Sequence, residues 1–145
     1  MISFVHFKVG NQDFILDTNI TQYIVNLSNV KFFSLAGNKK DYVRGLFIGR
    51  NNVTTLAIRL SKYCSIASEE KDEKYLIAFS DQYAIIVDEV VNIFSADEKN
   101  FTISPVKSKF VKRIYKDGEH GLFRELNLEC ILSDISNIEI EKSAK

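Results

Sequence analysis

Short runs of alternating apolar and polar residues, each ending at turn-forming residues, restrict the fold of this chain more than any other feature. Residues 3–9 (SFVHFKV) lead into Gly10 and Asn11, and the apolar segment 14–16 follows directly. Successive side chains of a strand point to opposite faces of a sheet, so such runs predict half-buried strands. A glycine-containing turn between two of them predicts a β-hairpin. The chain is therefore expected to be an all-β protein.

The pattern continues along the sequence, and three segments depart from it. Residues 20–27 have apolar side chains at helical spacing after a possible cap at Asn19, which favours a helix, although their β-branched residues make a strand the alternative. Residues 65–74 (SIASEEKDEK) are small or charged and predict a solvent-exposed linker. Residues 126–135 predict a short closing helix. Strands are predicted at residues 3–9, 14–16, 31–35, 42–48, 53–58, 75–79, 83–87, 90–94, 110–115 and 121–126.

The two halves of the chain resemble each other weakly. Residues 9–17 (VGNQDFILD) and 79–88 (FSDQYAIIVD) both contain a strand, a polar turn with glutamine, an aromatic residue, an apolar strand and aspartate. The alternative explanation is that every all-β protein contains similar hairpins. We expect one domain spanning residues 1–145, with subdomains at roughly residues 14–66 and 74–125 whose two small barrels are completed by the termini.

Composition and charge indicate an ordinary globular protein. Hydrophobic residues make up 46% of the chain, charged residues 26%, and the 19 basic and 19 acidic residues cancel. No run approaches the roughly 20 apolar residues of a membrane helix, and residues 1–9 are too polar for a signal peptide. Cys64 and Cys130 lack the spacing of a disulfide framework or a zinc site. A cytoplasmic protein without a metal site is expected.

The residues that could carry out catalysis do not form a recognisable motif. Nucleophilic catalysis requires a base beside the nucleophile, and the two histidines are His6, in a predicted strand, and His120, in a predicted turn. The six glycines are scattered and do not form a phosphate-binding loop. We therefore expect no catalytic residues, no cofactor and no enzymatic activity.

One local cluster of positive charge gives an alternative function. Basic side chains on one strand face could follow phosphates while Phe110 or Tyr115 stacks on a base, as in small barrels that bind single-stranded nucleic acid. The other interpretation is the solvent-exposed face of an amphipathic strand. The basic residues of this stripe are Lys107, Lys109, Lys112, Arg113 and Lys116.

Two segments carry a family resemblance. Residues 42–53 (YVRGLFIGRNNV), with their continuation to Leu60, run apolar, basic, glycine, three residues, a spacer, arginine, a turn, and a strand that ends in a short helix. Residues 84–94 (AIIVDEVVNIF) contain an apolar-Val-Asp-x-Val pattern. Both resemble segments of the CheW family of chemotaxis coupling proteins, and residues 4–17 and 110–132 follow the same order and spacing. The resemblance covers nearly the whole chain.

This resemblance implies both a fold and a function. The expected fold is a pair of small five-stranded antiparallel β-barrels with short helices. The expected function is that of a non-enzymatic scaffold that couples chemoreceptors to the histidine kinase CheA. Its expected partners are the regulatory domain of CheA and the cytoplasmic tip of a methyl-accepting chemoreceptor, with no nucleic acid and no direct membrane insertion.

The resemblance also implies partner-binding residues, namely Arg50, Gly45, Ile48 and Val87, and it implies that Val87 and Val90 belong to the core. In the family the arginine that corresponds to Arg50 lies by the receptor-binding groove, and a guanidinium can bind a carboxylate through two hydrogen bonds. The alternative role for Arg50 is an internal ion pair that holds a turn. Tyr23 corresponds to an acidic residue in the family, Ile48 stands in place of an asparagine, and Gly45 would permit a bend or close backbone approach.

Overall fold

The computed structural model of the chain describes residues 1–102, 109–117 and 121–136, and its regular structure is mainly β-strand, which confirms the all-β prediction. The described strands are β1 Ile2–Val9, β2 Gln12–Asp17, β3 Tyr23–Asn26, β4 Val43–Ile48, β5 Thr54–Arg59, β6 Tyr75–Ala78, β7 Tyr83–Val87, β8 Glu89–Ala96, β9 Phe101–Thr102, β10 Val111–Asp117 and β11 Gly121–Leu126. Helix α1 spans Leu60–Tyr63 and helix α2 spans Leu128–Ile135. Short 3-10 helices occupy several of the connections.

The strands of the described residues form two mixed sheets. One has six strands in the order β8-β1-β2-β11-β10-β9, and the other has five in the order β3-β6-β7-β5-β4. Each sheet contains one parallel pair, β2 with β11 and β5 with β7. The predicted pair of closed, five-stranded antiparallel barrels is therefore wrong, because both sheets are open and mixed and one has a sixth strand.

These differences have a physical cause in contacts between distant parts of the chain. In the parallel pair β2–β11, Phe14 lies opposite Arg124, near the other end of the sequence, and local alternation carries no information about such a partner. The segment 31–35 is not the predicted strand, because it forms only one bridge, between Phe33 and Leu46, with N–O distances of 2.7 and 2.8 Å. The second sheet consequently remains open beside β4.

The helix predicted at residues 20–27 is also wrong. A 3-10 helix occupies Thr18–Ile20, and β3 then pairs with β6 in antiparallel register. Ile24 and Val25 are β-branched and lose rotamer freedom in a helix. The edge of β6 supplies the backbone hydrogen-bond partners that the segment needs, so strand pairing is favoured over the local helical pattern.

The predicted linker at residues 65–74 contains one charged residue that the sequence pattern misplaced. Its only regular element is the 3-10 helix Glu70–Asp72, as expected for a connection. Glu73, however, is only 7% exposed. The Nε–H of Arg59 donates to both carboxylate oxygens of Glu73, at 2.9 and 3.0 Å, and this ion pair makes burial of the charge possible.

The largest apolar cluster contains residues from both sheets and from α2, with two smaller clusters on the outer sides. The five-stranded sheet separates the central cluster from one of the outer clusters. Its strand β7 is buried on both faces, since all five of its residues are buried. Tyr83, Ile85 and Val87 belong to the central cluster, whereas Ala84 and Ile86 belong to the outer cluster of the five-stranded sheet. The period of two thus places β7 between two cores.

The predicted closing helix is confirmed as α2. Asn127 caps it by accepting a hydrogen bond from the backbone N–H of Cys130 at 3.3 Å. Near its end, the Asp134 carboxylate accepts hydrogen bonds from the Tyr63 hydroxyl at 2.5 Å and from Lys109 Nζ at 2.8 Å. Asp134 therefore connects α2 to α1 and to the residues that precede β10.

Substitution of Asp134 by asparagine is expected to lower the melting temperature at neutral pH and to weaken its dependence on acid. The Lys109 and Tyr63 hydrogen bonds hold the pKa of Asp134 below its ordinary value of 3.8. A lowered native pKa gives stability that is present above the unfolded-state pKa and is lost as the pH falls through the native one. Thermal unfolding followed by circular dichroism between neutral pH and about pH 2 measures this loss. Identical acid sensitivity in D134N and the unmodified chain would contradict the role of Asp134.

Candidate interaction site

A surface groove of about 540 Å³ lies beside the end of β4, and we call it the Arg50 groove. Two large apolar side chains on its lining are strongly exposed, Phe33 at 50% and Ile48 at 55%. Neighbouring exposed apolar groups with a polar border are typical of a docking surface. Its lining includes Val25, Val30, Phe33, Ile48, Lys31 and Arg50.

The turn after β4 places Arg50 at this groove. Strand β4 ends at Ile48, and the N–H of Gly49 donates to the Val53 carbonyl at 2.8 Å, which closes a turn containing the 3-10 helix Arg50–Asn52. A Cβ on Gly49 would lie 2.8 Å from the Tyr23 hydroxyl oxygen. The missing side chain of Gly49 lets the turn lie close to the Tyr23 hydroxyl, and the turn brings Arg50 over the Tyr23 ring.

The Arg50 side chain is exposed and stacks on an aromatic ring. Its guanidinium carbon lies 4.4 Å from the centroid of Tyr23. Asp81 lines an adjoining pocket of about 290 Å³ together with Gln22, Tyr23 and Arg50. In the described part of the chain, no carboxylate forms a salt bridge with Arg50. The structure therefore does not support the internal ion pair, and stacking leaves the guanidinium edge available to an external carboxylate.

The four residues predicted for partner binding occupy different environments. Arg50 and Ile48 lie together in the groove. Gly45 is buried with φ +146°, and a Cβ there would lie 2.5 Å from the carbonyl oxygen of Phe33, so it permits the Phe33 segment to lie on β4. Val87 has no exposed surface and lies in the central core, away from the groove.

The sequence pattern missed several groove residues. The pattern predicts a strand at Phe33 and a helix at Val25, so it indicates a surface site at neither residue. The tandem Phe32-Phe33 was a usable signal, because neighbouring side chains of an extended segment point in opposite directions. One of the two rings had to face away from the core that receives the other, and Phe33 is the exposed one.

The other candidate residues are engaged in local contacts or lie outside the described residues. Lys109 pairs with Asp134, and Arg113 pairs with Glu125 at 2.6 Å, so the stripe 107–116 has fewer free cations than the sequence indicated. Lys107 and His120 lie outside the described residues. His6 Nε2 is hydrogen-bonded to Asp13 Oδ1 at a distance of 2.8 Å. Nothing here supports nucleic-acid binding, and the described residues contain no cluster of three potential metal ligands.

Two mixed sheets around a shared core, with an exposed apolar groove bordered by cations, define the class of protein: a β-rich interaction module. The model of the CheW-like domain family matches residues 3–136, and the chain therefore belongs to that family, whose members are chemotaxis scaffolds. Among solved structures, the chain is similar to the crystal structure of scaffolding protein TtCheW from Thermoanaerobacter tengcongensis. The identity is 20%, the match covers 87% of this chain and 88% of that one, and the TM-score is 0.77.

No curated protein matches the chain. None of the helices in residues 1–102, 109–117 and 121–136 combines the length and apolarity that a membrane crossing needs.

Proposed function

We propose that this chain is a non-enzymatic cytoplasmic scaffold that couples the cytoplasmic tip of a methyl-accepting chemoreceptor to the regulatory domain of the histidine kinase CheA. Membership of the CheW-like domain family supports the coupling role. The similar structure from Thermoanaerobacter tengcongensis is described as a scaffolding protein. The chain acts as one unit, because each sheet joins strands from both of the proposed subdomain ranges, 14–66 and 74–125.

The observation that carries this proposal is the Arg50 guanidinium, which forms no salt bridge with any of the described residues and lies beside exposed apolar side chains. Arg50 stacks on Tyr23, so its side chain is held in place before a partner arrives. Ile48 and Phe33 offer apolar surface in the same groove. A receptor segment that fits would place a carboxylate on Arg50 and an apolar side chain on Ile48 and Phe33, which joins a charge-assisted hydrogen bond to apolar burial.

Substitution of Arg50 by alanine is expected to weaken binding of a receptor-tip fragment about tenfold, because the partner carboxylate loses its counter-charge. Isothermal titration calorimetry with the purified receptor fragment measures the dissociation constant. In R50K the positive charge remains, but the planar guanidinium that can form two hydrogen bonds with a carboxylate is lost. An affinity between those of R50A and the unmodified chain is therefore expected. Gly45 supports the groove from beneath and Val87 supports the core, so their substitution affects binding through the fold.

The matched control is Arg44→Ala. Arg44 is also an exposed arginine that stacks on an aromatic ring, Phe32, at the same 4.4 Å, but it lies outside the Arg50 groove. Receptor binding by R44A should equal that of the unmodified chain. If R44A and R50A weaken receptor binding equally, the specific role of Arg50 is wrong, and if the unmodified chain binds neither the receptor tip nor the regulatory domain of CheA, the proposed function is wrong.

A further inference from the structure

A second groove, which we call the Arg44 groove, lies on the other side of the segment 27–33. Its volume is about 510 Å³. Val30 lines both grooves, whereas Phe33 lines only the Arg50 groove and Phe32 only the Arg44 groove. The alternation of side chains along this extended segment thus gives each groove one aromatic ring of its own.

The Arg44 groove has two cations without an internal counter-charge. Arg44 is exposed, and its guanidinium carbon lies 4.4 Å from the centroid of Phe32. Lys74 is also exposed. In the part of the chain that the structure describes, neither of them forms a salt bridge. Partly buried apolar side chains also line this groove, including Leu27 and Val30.

Two glutamates also line this groove, and only one of them is free to repel an anion. The carboxylate of Glu73 is 2% exposed and is paired with Arg59 at 2.9 Å, so its charge is compensated within the protein. Glu70 is exposed and forms no salt bridge in the described ranges of the chain. Among the described lining residues, Arg44 and Lys74 carry positive charges and Glu70 carries a negative charge, and none of the three forms a salt bridge. The groove therefore has an excess of positive charge.

We propose that the Arg44 groove is a docking surface for an acidic peptide segment of a partner protein. An aliphatic or aromatic side chain of the segment lies on Phe32, Leu27 and Val30, and flanking carboxylates reach Arg44 and Lys74. This charge complementarity is too limited for a nucleic acid, which requires a row of cations along successive phosphates and is repelled by Glu70. The proposal does not depend on the receptor-coupling role.

The test uses the full chain and two capped synthetic peptides, acetyl-Glu-Leu-Glu-Phe-Glu-amide and its matched analogue with glutamine at every glutamate. Titration is followed by ¹H–¹⁵N NMR at low salt, which locates the binding site and gives the affinity. The acidic peptide should shift the amide signals of Phe32, Arg44 and Lys74, and the glutamine peptide should bind more weakly. Removal of one cation, in R44A or K74A, should weaken binding about two- to fivefold.

Two further variants make the result specific. Glu70→Gln removes the repelling carboxylate and should strengthen binding of the acidic peptide, an effect that a damaged fold cannot produce. Lys62→Ala, which removes an exposed cation that lines neither groove, should leave it unchanged. Equal affinity for both peptides, unchanged affinity in R44A and K74A, an equal loss in K62A, or tighter binding of a single-stranded oligonucleotide at the same residues would overturn the proposal.

Discussion

Replacement of Glu73 by alanine is expected to lower the free energy of unfolding by about 3 to 5 kcal/mol, because Arg59 would keep a largely buried charge without a counter-charge. The side chains of Glu73 and Arg59 are only 2% and 14% exposed. Burial raises the pKa of the Glu73 carboxyl, and the hydrogen bond from Arg59 opposes that shift. Arg59 therefore helps to keep the buried Glu73 ionised. Urea denaturation at neutral pH, followed by circular dichroism, measures the loss.

The chain offers a matched control for this experiment. Glu69 pairs with Lys71 at 3.0 Å, but these side chains are 68% and 78% exposed. Glu69→Ala should therefore change the free energy of unfolding by less than about 1 kcal/mol. The double replacement of Arg59 by methionine and Glu73 by leucine should recover most of the stability lost in E73A, because no isolated charge remains buried. Equal effects of E73A and E69A would contradict this account.

Replacement of Gly45 by alanine is expected to destabilise the protein by about 2 to 4 kcal/mol, through backbone strain and a steric clash together. Gly45 has φ +146°, which other residues rarely adopt. An added Cβ would lie 2.5 Å from the carbonyl oxygen of Phe33, which accepts a hydrogen bond from Leu46 N–H at 2.8 Å. The clash would move Phe33 away from β4, so G45A should also bind the receptor-tip fragment more weakly.

Gly121 separates these two causes. It also has a positive φ, +95°, but apart from its chain neighbours no atom of the described residues would lie within 4 Å of an added Cβ. Gly121→Ala should therefore show only the cost of strain, about 1 to 3 kcal/mol. The excess loss in G45A over G121A, measured by urea denaturation, is the contribution of the close approach to Phe33. Equal losses in the two variants would show that this approach contributes nothing to stability.

Strands were predictable from the sequence where local pattern and burial agree. The predicted bounds 83–87 and 121–126 are those of β7 and β11, and the helix predicted at residues 126–135 is α2. At residues 20–27 the apolar spacing indicated a helix, but pairing with β6 made residues 23–26 a strand. An intrinsic helical preference is worth fractions of a kcal/mol per residue and is overcome by such pairing.

The candidate site was predictable only in part. The resemblance placed Arg50 and Ile48, and both lie in one groove. It also gave Val87 both a core position and a part in binding, and the structure buries Val87 in the core. The contributions of Phe33 and Tyr23 depend on segments that approach β4 and its turn from elsewhere in the chain, so the local pattern around Arg50 carried no information about them.

The amino-acid pattern alone predicts the β-rich class, the closing helix and the family to which the chain belongs, because these follow from periodicity and from motifs of neighbouring residues. The three-dimensional arrangement was needed to establish which strands are parallel, that both sheets stay open, that Glu73 is buried against Arg59, and that Arg50 stacks on Tyr23. Each of these depends on the contact free energy between segments distant along the chain, which the pattern of neighbouring residues does not contain.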